Sequence, residues 1–249
     1  MKSKLTISII SHGQYEIIKP LLKDLNAYKD YIDKVILTFN IPEKKSDNIA
    51  YDYKIKIIEN EIPLGFGANN NQAFKYCYTE TFCIINPDIR IESDIFREIL
   101  QVFDDKLVAM VAPLIIDNDG NVENARDFPT FKKIIFDKAL LRKKESYILS
   151  PNNHTIFPDW VAGSFIFFDS EKFKNLGGFN IKYFMYYEDV DICTRAWKEN
   201  YKVAMNTSLL VKHYPRKNSH KNLKYFYWHI KSFLLYMFKH IKKPIKIIN

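Results

Sequence analysis

Residues 5–39 read LTISIISHGQYEIIKPLLKDLNAYKDYIDKVILTF, and this stretch decides the fold. It opens with a short apolar run at 5–10 that stops at Ser11-His12-Gly13, the length and flank of a buried strand. From 15 to 27 the period changes: Ile17, Ile18, Leu21, Leu22 and Leu25 recur at helical spacing. A second strand follows at 34–39 (KVILTF). Strand, helix and strand with short connections predict a parallel α/β unit with helices against the sheet.

The pattern continues outward. Residues 53–59 alternate as a third strand, and PLGFGANN leads into a helix running to about residue 78. Residues 81–85 (TFCII) form a fourth buried strand that ends at Asn86-Pro87-Asp88, and Ser93 or Asp94 caps a helix over 95–103. In open α/β sheets ligands bind beyond the carboxyl ends of the strands. Ser11-His12-Gly13 and Asn86-Pro87-Asp88 both lie at that end. Further on, 108–116 reads as a strand, Asn118-Asp119-Gly120 as a hairpin turn and 131–145 as a basic amphipathic helix. Residues 160–169 read as one strand, 170–176 as a short helix, 188–200 as a helix, 202–212 as a strand and 222–241 as a final helix. No Pro/Gly/Ser-rich linker interrupts the chain, so one domain over 1–215 is expected, with a helical appendage over 216–249.

Composition narrows the function classes. The chain has 249 residues, 47% hydrophobic and 27% charged, an ordinary globular balance that excludes a disordered or collagen-like protein. No run of 18 apolar residues occurs and no cleavage site follows the N-terminus, so neither a spanning helix nor a secretory leader is expected. Three cysteines without metal spacing suit a reducing cytoplasm. The net charge of +8 is unevenly placed, because residues 200–249 hold 11 Lys and Arg and no acid. A basic tail on a nearly neutral body fits an anionic partner. Its apolar residues Leu223, Phe226, Tyr227, Ile230, Phe233, Leu234, Met237 and Ile241 recur at helical spacing among lysines. Two readings stand for it: an interfacial helix over 222–249 on an anionic inner-membrane leaflet, or a helix against the body or a second subunit. Only 7 glycines occur, where average usage gives roughly 17, and the expectation is that those positions use glycine's backbone freedom.

Three constellations carry chemistry. In Asn86-Pro87-Asp88 an apolar strand breaks at proline and presents an acid, which either holds a divalent cation with substrate phosphates or caps its own turn. In Tyr186-Tyr187-Glu188-Asp189-Val190-Asp191, three acids open a helix where the dipole favours negative charge. Helical spacing puts Asp189 on the apolar face with Ile192, Cys193 and Ala196, whereas Glu188 and Asp191 turn the other way, Asp191 pairing with Arg195. Gly65-Phe66-Gly67 through Asn71 is a Gly-rich turn into a helix, able to bring amides near a nucleotide, without the lysine of a P-loop.

In this order these motifs resemble glycosyltransferase family 2, and within it the branch of bacterial rhamnosyltransferase-like enzymes of cell-surface polysaccharide synthesis. The resemblance is carried by TISIIS, by ENEIPLGFGANNNQAF, by IINPD, and most specifically by WVAGSFIFFDSEKFKNLGGFNIKYFMYYEDVDICTRAWKENY. It covers roughly residues 5–215. It implies the GT-A fold (a Rossmann-like mixed, mostly parallel sheet), a dTDP- or UDP-sugar donor, Mn2+ or Mg2+, and inversion at the anomeric carbon. By the same resemblance Asp189, with Glu188 beside it, matches the catalytic base. Asp88 matches the last acid of the metal motif, whose first acid is here Asn86, and His213 matches a histidine near the metal. Ser11, His12, Asn40, Glu59, Gly65, Phe66, Gly67, Asn71, Asn86 and Asp88 correspond to the donor side; Trp160, Gly163 and Ser164 to the acceptor side. The family often has Tyr-Asn after the first strand and Asp at the end of the second. Here Ser11-His12-Gly13 and Phe39-Asn40 stand there, so the choice between the two bases stays open.

The implied partners are a nucleotide sugar, a glycan or lipid-linked glycan acceptor, the inner-membrane surface and, as a further possibility, a second copy in a homodimer. The alternatives are a nucleotidyltransferase-like nucleotide-sugar enzyme, which usually carries a basic Gly-rich loop after the first strand where Ser11-His12-Gly13 stands here, and, more weakly, a basic nucleic-acid-binding protein. The body has no nucleic-acid-binding motif and nucleic acid is not expected as a partner.

Overall fold

The computed structural model describes residues 4–43, 51–117, 120, 122–130, 154–214, 223–241 and 244. The basic stretch at 131–145 and the turn residues Asn118 and Asp119 lie outside the described residues. The first strands are β1 (Leu5–Ser11), β2 (Ile32–Phe39), β3 (Lys54–Glu59), β4 (Thr81–Ile85) and the short β5 (Ile89–Arg90). After them come β6 (Val108–Ile116), β7 (Ala125–Arg126), β8 (Thr155–Ile156), β9 (Trp160–Val161), β10 (Phe165–Asp169) and β11 (Lys202–His213). The main sheet runs β3-β2-β1-β4-β10-β6-β11-β5, with β8 on β11, and β7 pairs with β9 separately. Pairs β2–β3, β1–β2, β1–β4 and β6–β11 are parallel, whereas β10 lies antiparallel between β4 and β6. The sheet is therefore mixed.

Helices cover both faces. On one side α1 (Tyr15–Asn26) and α3 (Phe96–Gln101) bury Ile18, Leu21, Leu22, Leu25, Phe96 and Ile99 against Ile7, Leu37, Cys83 and Phe167. On the other side lie α2 (Phe66–Phe74), α4 (Ser170–Asn175) and α5 (Glu188–Lys198), with Ala73, Phe173, Val190, Cys193 and Trp197 against Ile84, Met110 and Phe168. The period-two rule divides β10 cleanly: Phe165 and Phe167 face the first layer, Ile166 and Phe168 the second. Such double burial explains why the central strands read as unbroken apolar runs.

One expectation changes, and one of two readings is taken up. The strand expected over 160–169 is two strands, because Ala162-Gly163-Ser164 leaves the sheet between β9 and β10. The final helix α6 (Leu223–Lys239) lies on the body, burying Ser232, Tyr236 and, just past its end, His240. It does so with a mixed polar and aromatic face. Leu223 (84% exposed), Phe226 (62%), Phe238 (73%) and Ile241 (79%) point to solvent.

Candidate active site

The turn after β4 is fixed by its backbone. The Asn86 amide donates to Ser164 O at 2.7 Å, and Tyr214 N donates to Asp88 O at 3.0 Å, tying the end of β11 to the same turn. His213 therefore stands beside Asp88, its Nε2 3.3 Å from Oδ1. On the other side of the ring, Nδ1 lies 2.5 Å from Glu123 Oε2. Burial alone would lower the imidazole pKa, but hydrogen bonding and charge from Asp88 and Glu123 outweigh it and push it up to about 9. Asp88 Oδ1 is buried and makes no hydrogen bond of good geometry. Among the described residues no group of three or more His, Cys, Asp or Glu side chains forms a metal cage. A carboxylate oxygen 3.3 Å from an imidazole nonetheless fits a cation that displaces the imidazole proton and takes its remaining ligands from a substrate diphosphate. An open groove of about 230 Å3, lined by Ile17, Pro20, Pro87, Asp88, Arg90 and Tyr214, reaches this acid.

The second acid pair starts α5. Tyr186 and Tyr187 precede it with φ of 70° and 68°, a left-handed pair that costs roughly 1–3 kcal/mol per residue outside glycine. Beyond the bend Asp189 lies against Gly163, and Glu188 lies beside Gly67 of the Gly-rich loop. Asp189 Oδ2 accepts from Gly163 N at 3.1 Å and Oδ1 from Val190 N at 2.8 Å. Burial pushes both acids above the usual carboxylate range, and the charge of Asp189 raises Glu188 further. The Gly163 and Val190 amides and the nearby Arg126 pull Asp189 back down. Asp189 is the acid equipped to carry charge. Glu188, with Oε2 buried and unpartnered, is the one equipped to stay protonated.

Asp191 does not turn outward. It is fully buried, and its carboxylate meets Arg195 Nε at 2.7 Å, Lys239 Nζ at 2.8 Å and His240 Nε2 at 2.8 Å. Burial alone would raise its pKa, but the hydrogen bond from His240 and the charges of Arg195 and Lys239 hold it well below the ordinary value. The ion pair with Arg195 is present as expected. The reversed side of the helix is covered by α6.

Among the residues expected on the donor side, an asparagine network shapes the Gly-rich loop. Asn40 Oδ1 accepts from Leu64 N (2.8 Å) and Asn60 Nδ2 (3.0 Å), its Nδ2 donates to Leu64 O (2.9 Å), and His12 Nδ1 lies 3.4 Å from that nitrogen. Gly65 has no need of a special φ: a Cβ there would collide with the Phe184 carbonyl, which already accepts the Phe66 amide at 3.0 Å. Gly67 is likewise pressed by Phe179, where a Cβ would come within 2.7 Å. Its glycine serves close approach rather than backbone freedom. Asn71 spends its amide on Phe179, accepting from its N–H at 2.8 Å and donating to its carbonyl at 2.7 Å. Glu59 stands exposed at the end of β3. Ser11 is turned toward Glu43, whose carboxylate also accepts the Gly13 and Tyr15 amides at 2.7 and 3.0 Å.

On the remaining side Trp160 is half-buried, its Nε1 donating to Asp127 O at 3.0 Å, with the Arg126 guanidinium 5.7 Å from the ring centroid. The link Ala162-Gly163-Ser164 thus joins the elements: Ser164 O holds the Asp88 turn and Gly163 N holds Asp189. The turn before α5 in its turn backs the Gly-rich loop. Ser11 ends β1 and His12 follows it, 3.4 Å from Asn40 of the asparagine network. Three residues of the site were not expected from the sequence: Glu43, Asn60 and Glu123. Only Asn60, just before the Gly-rich loop, carries a local signal.

A family model described as "Glycosyl transferase family 2" matches residues 6–169. A rhamnosyltransferase, WbbL of Escherichia coli K12, is 27% identical over 243 residues, covering 93% of this chain and 91% of its own. Among solved structures, GalNAc-T7 with UDP, GalNAc and Mn2+ superposes at a TM-score of 0.64 and 14% identity, over 87% of this chain; the chain spans 45% of that protein's length. The mannosyltransferase PcManGT of Pyrobaculum calidifontis, with GDP-Man and Mn2+, gives 0.60 and 16%, over 98% of this chain and 66% of its own. At these identities the two structures show a shared fold, GT-A.

Proposed function

The chain belongs to glycosyl transferase family 2, and we propose that it transfers a sugar, with inversion, from a dTDP- or UDP-sugar to a hydroxyl of a lipid-linked glycan in surface polysaccharide synthesis. The likeness to WbbL supports a rhamnosyl-type donor. The observation that carries the reading is the grip of Gly163 N on Asp189. It favours the charged form of a half-buried acid whose pKa burial raises, and ties that acid to the junction that also holds the Asp88 turn. In the reaction Asp189 takes the proton of the acceptor hydroxyl as that oxygen bonds to the anomeric carbon from the opposite face. The bond to the diphosphate breaks and its electron pair leaves with the diphosphate. General base assistance of this kind contributes about 10²–10⁴ in rate. Asp88 and His213 would hold Mn2+ or Mg2+, which when bound supplies Lewis-acid neutralisation of the leaving diphosphate. Glu123 orients His213 as carboxylates orient metal-binding histidines. Gly65, Phe66, Gly67 and Asn40 line the donor side, and Trp160, Gly163 and Ser164 the acceptor side, where Arg126 adds a positive charge.

A thermal-shift panel of nucleotide sugars with and without Mn2+ tests the reading. The true donor raises Tm by mass action, by about 2.7 kcal/mol of stability at a hundredfold excess over Kd. Asp88→Ala is expected to lose most of the Mn2+-dependent part of that shift. An unchanged shift in calorimetry or melting takes the metal role away from Asp88.

The outward stripe of α6 supports a peripheral membrane location. Leu223, Phe226, Phe238 and Ile241 are exposed in a segment with no acid at all from residue 200 on, the make-up of an interfacial helix on anionic lipid. No helix among the described residues is long and apolar enough to cross a membrane. The chain is expected to float with phosphatidylglycerol vesicles and not with phosphatidylcholine alone, and Phe226→Ser with Phe238→Ser to stay at the bottom. Wild type that stays at the bottom and sediments as a dimer makes the stripe a subunit face instead.

A further inference from the structure

We propose that Trp228, Ser232 and Tyr236, on the inner face of α6, are positioning residues of the active site, holding the left-handed turn that aims Glu188 and Asp189. The proposal rests on the transferase reading above and concerns the opposite face of α6 from the membrane stripe.

The contacts run residue by residue along the turn. The Trp228 ring lies on Phe184 at 4.7 Å between centroids. Ser232 Oγ donates to Met185 O at 2.8 Å. His229 meets Tyr186 and Tyr187 at 5.4 and 5.3 Å, and Phe233 and Tyr236 meet Tyr187 at 5.8 and 5.7 Å. Thr194 Oγ1 donates to Val190 O at 2.7 Å, so the Tyr236 hydroxyl 2.9 Å away is the donor to Thr194. Every residue from 184 to 187 therefore has a partner on α6. Two consecutive non-glycine residues at positive φ persist only where their surroundings over-determine them. The far side of the same turn is the Gly-rich loop, through Phe66 N to Phe184 O. The turn is clamped between α6 and that loop, and α6 is thus part of the site although it touches none of the reacting groups.

The test uses the full chain. Ser232→Ala removes one hydrogen bond to the turn; Trp228→Leu removes the ring on Phe184; Ser232→Thr keeps the hydroxyl; Leu234→Ser alters only an exposed residue of α6. Hydrogen exchange at the Phe66 and Asp191 amides, both bonded to the turn, reads its order without any substrate. In Ser232→Ala and Trp228→Leu that exchange is expected to quicken about tenfold. Turnover of the donor found by thermal shift falls 10- to 100-fold in kcat, the scale of a displaced catalytic group, with KM within threefold. Ser232→Thr recovers the rate, and Leu234→Ser changes neither measurement. Faster exchange with unchanged kcat, or a fall in kcat only in proportion to unfolded protein, overturns the proposal. Failure of the transferase reading itself would show earlier and differently, as a wild-type chain that no nucleotide sugar stabilises.

Discussion

Asp189→Asn is expected to lower kcat by roughly 10²–10⁴ while leaving donor affinity within a few-fold. The substitution is nearly isosteric, and the amide oxygen still accepts from the Gly163 N–H that Asp189 Oδ2 accepts now at 3.1 Å. What disappears is the ability to take a proton, together with the bond from Val190 N to the other oxygen, which an amide NH2 cannot accept. Glu188→Gln should cost far less at neutral pH, because burial and the Asp189 charge already favour the protonated acid at 188. The pH profile gives the same distinction. Burial raises the Asp189 pKa, so kcat/KM falls as pH drops through a value above the ordinary carboxylate range, and that limb vanishes in Asp189→Asn. Steady-state kinetics with calorimetric donor binding check both points. A variant at 189 that turns over near the wild-type rate would refute the base assignment.

Asp191→Ala carries the largest expected loss of stability. Removing one partner of a buried ionic cluster costs about 3–5 kcal/mol, since the groups left behind remain desolvated. Here those groups are chiefly the buried His240 and the largely covered Arg195, whereas Lys239 is exposed and regains water. For a chain of this size the loss corresponds to a Tm lower by roughly 6–20 °C. The sign of the pH dependence follows from a folded pKa held below the unfolded one, near 3.8. The contribution is complete above that unfolded value and is lost as pH falls through it toward the lower folded value. Wild type should therefore lose stability in acid more steeply than Asp191→Ala. Thermal unfolding followed by circular dichroism measures both, and a Tm within 2 °C of wild type at pH 7 would show the cluster to be energetically neutral.

The first half of the chain was the most legible because its signals are local. The bounds Thr81–Ile85 for β4 and the start of α1 at Tyr15 follow from period and flanks. The Asn86-Pro87-Asp88 turn and the acids opening α5 were readable for the same reason. Asp191 was not. Its neighbours in sequence make it look outward-facing, and the cations that make its burial tolerable lie about 50 residues downstream. Glu123 and Glu43 escape reading in the same way, since each acquires its role from a partner on another element. An apolar run cannot announce where it leaves a sheet, so the break at Ala162-Gly163-Ser164 was hidden inside the stretch 160–169. For α6 the helix and its stripe were readable. Which side meets the body was not, because the side that docks is the less hydrophobic one and works through hydroxyls, rings and charges.

The docking of His240 and Lys239 on Asp191 also bears on protein engineering. A version trimmed after residue 215, where composition invites a cut, would strip two of the three cations from the Asp191 carboxylate, which α6 covers. It would also leave Thr194 without its phenol neighbour. Chimeras that exchange sugar specificity between relatives should keep everything through residue 240 with the catalytic half, and affinity tags belong on the opposite terminus.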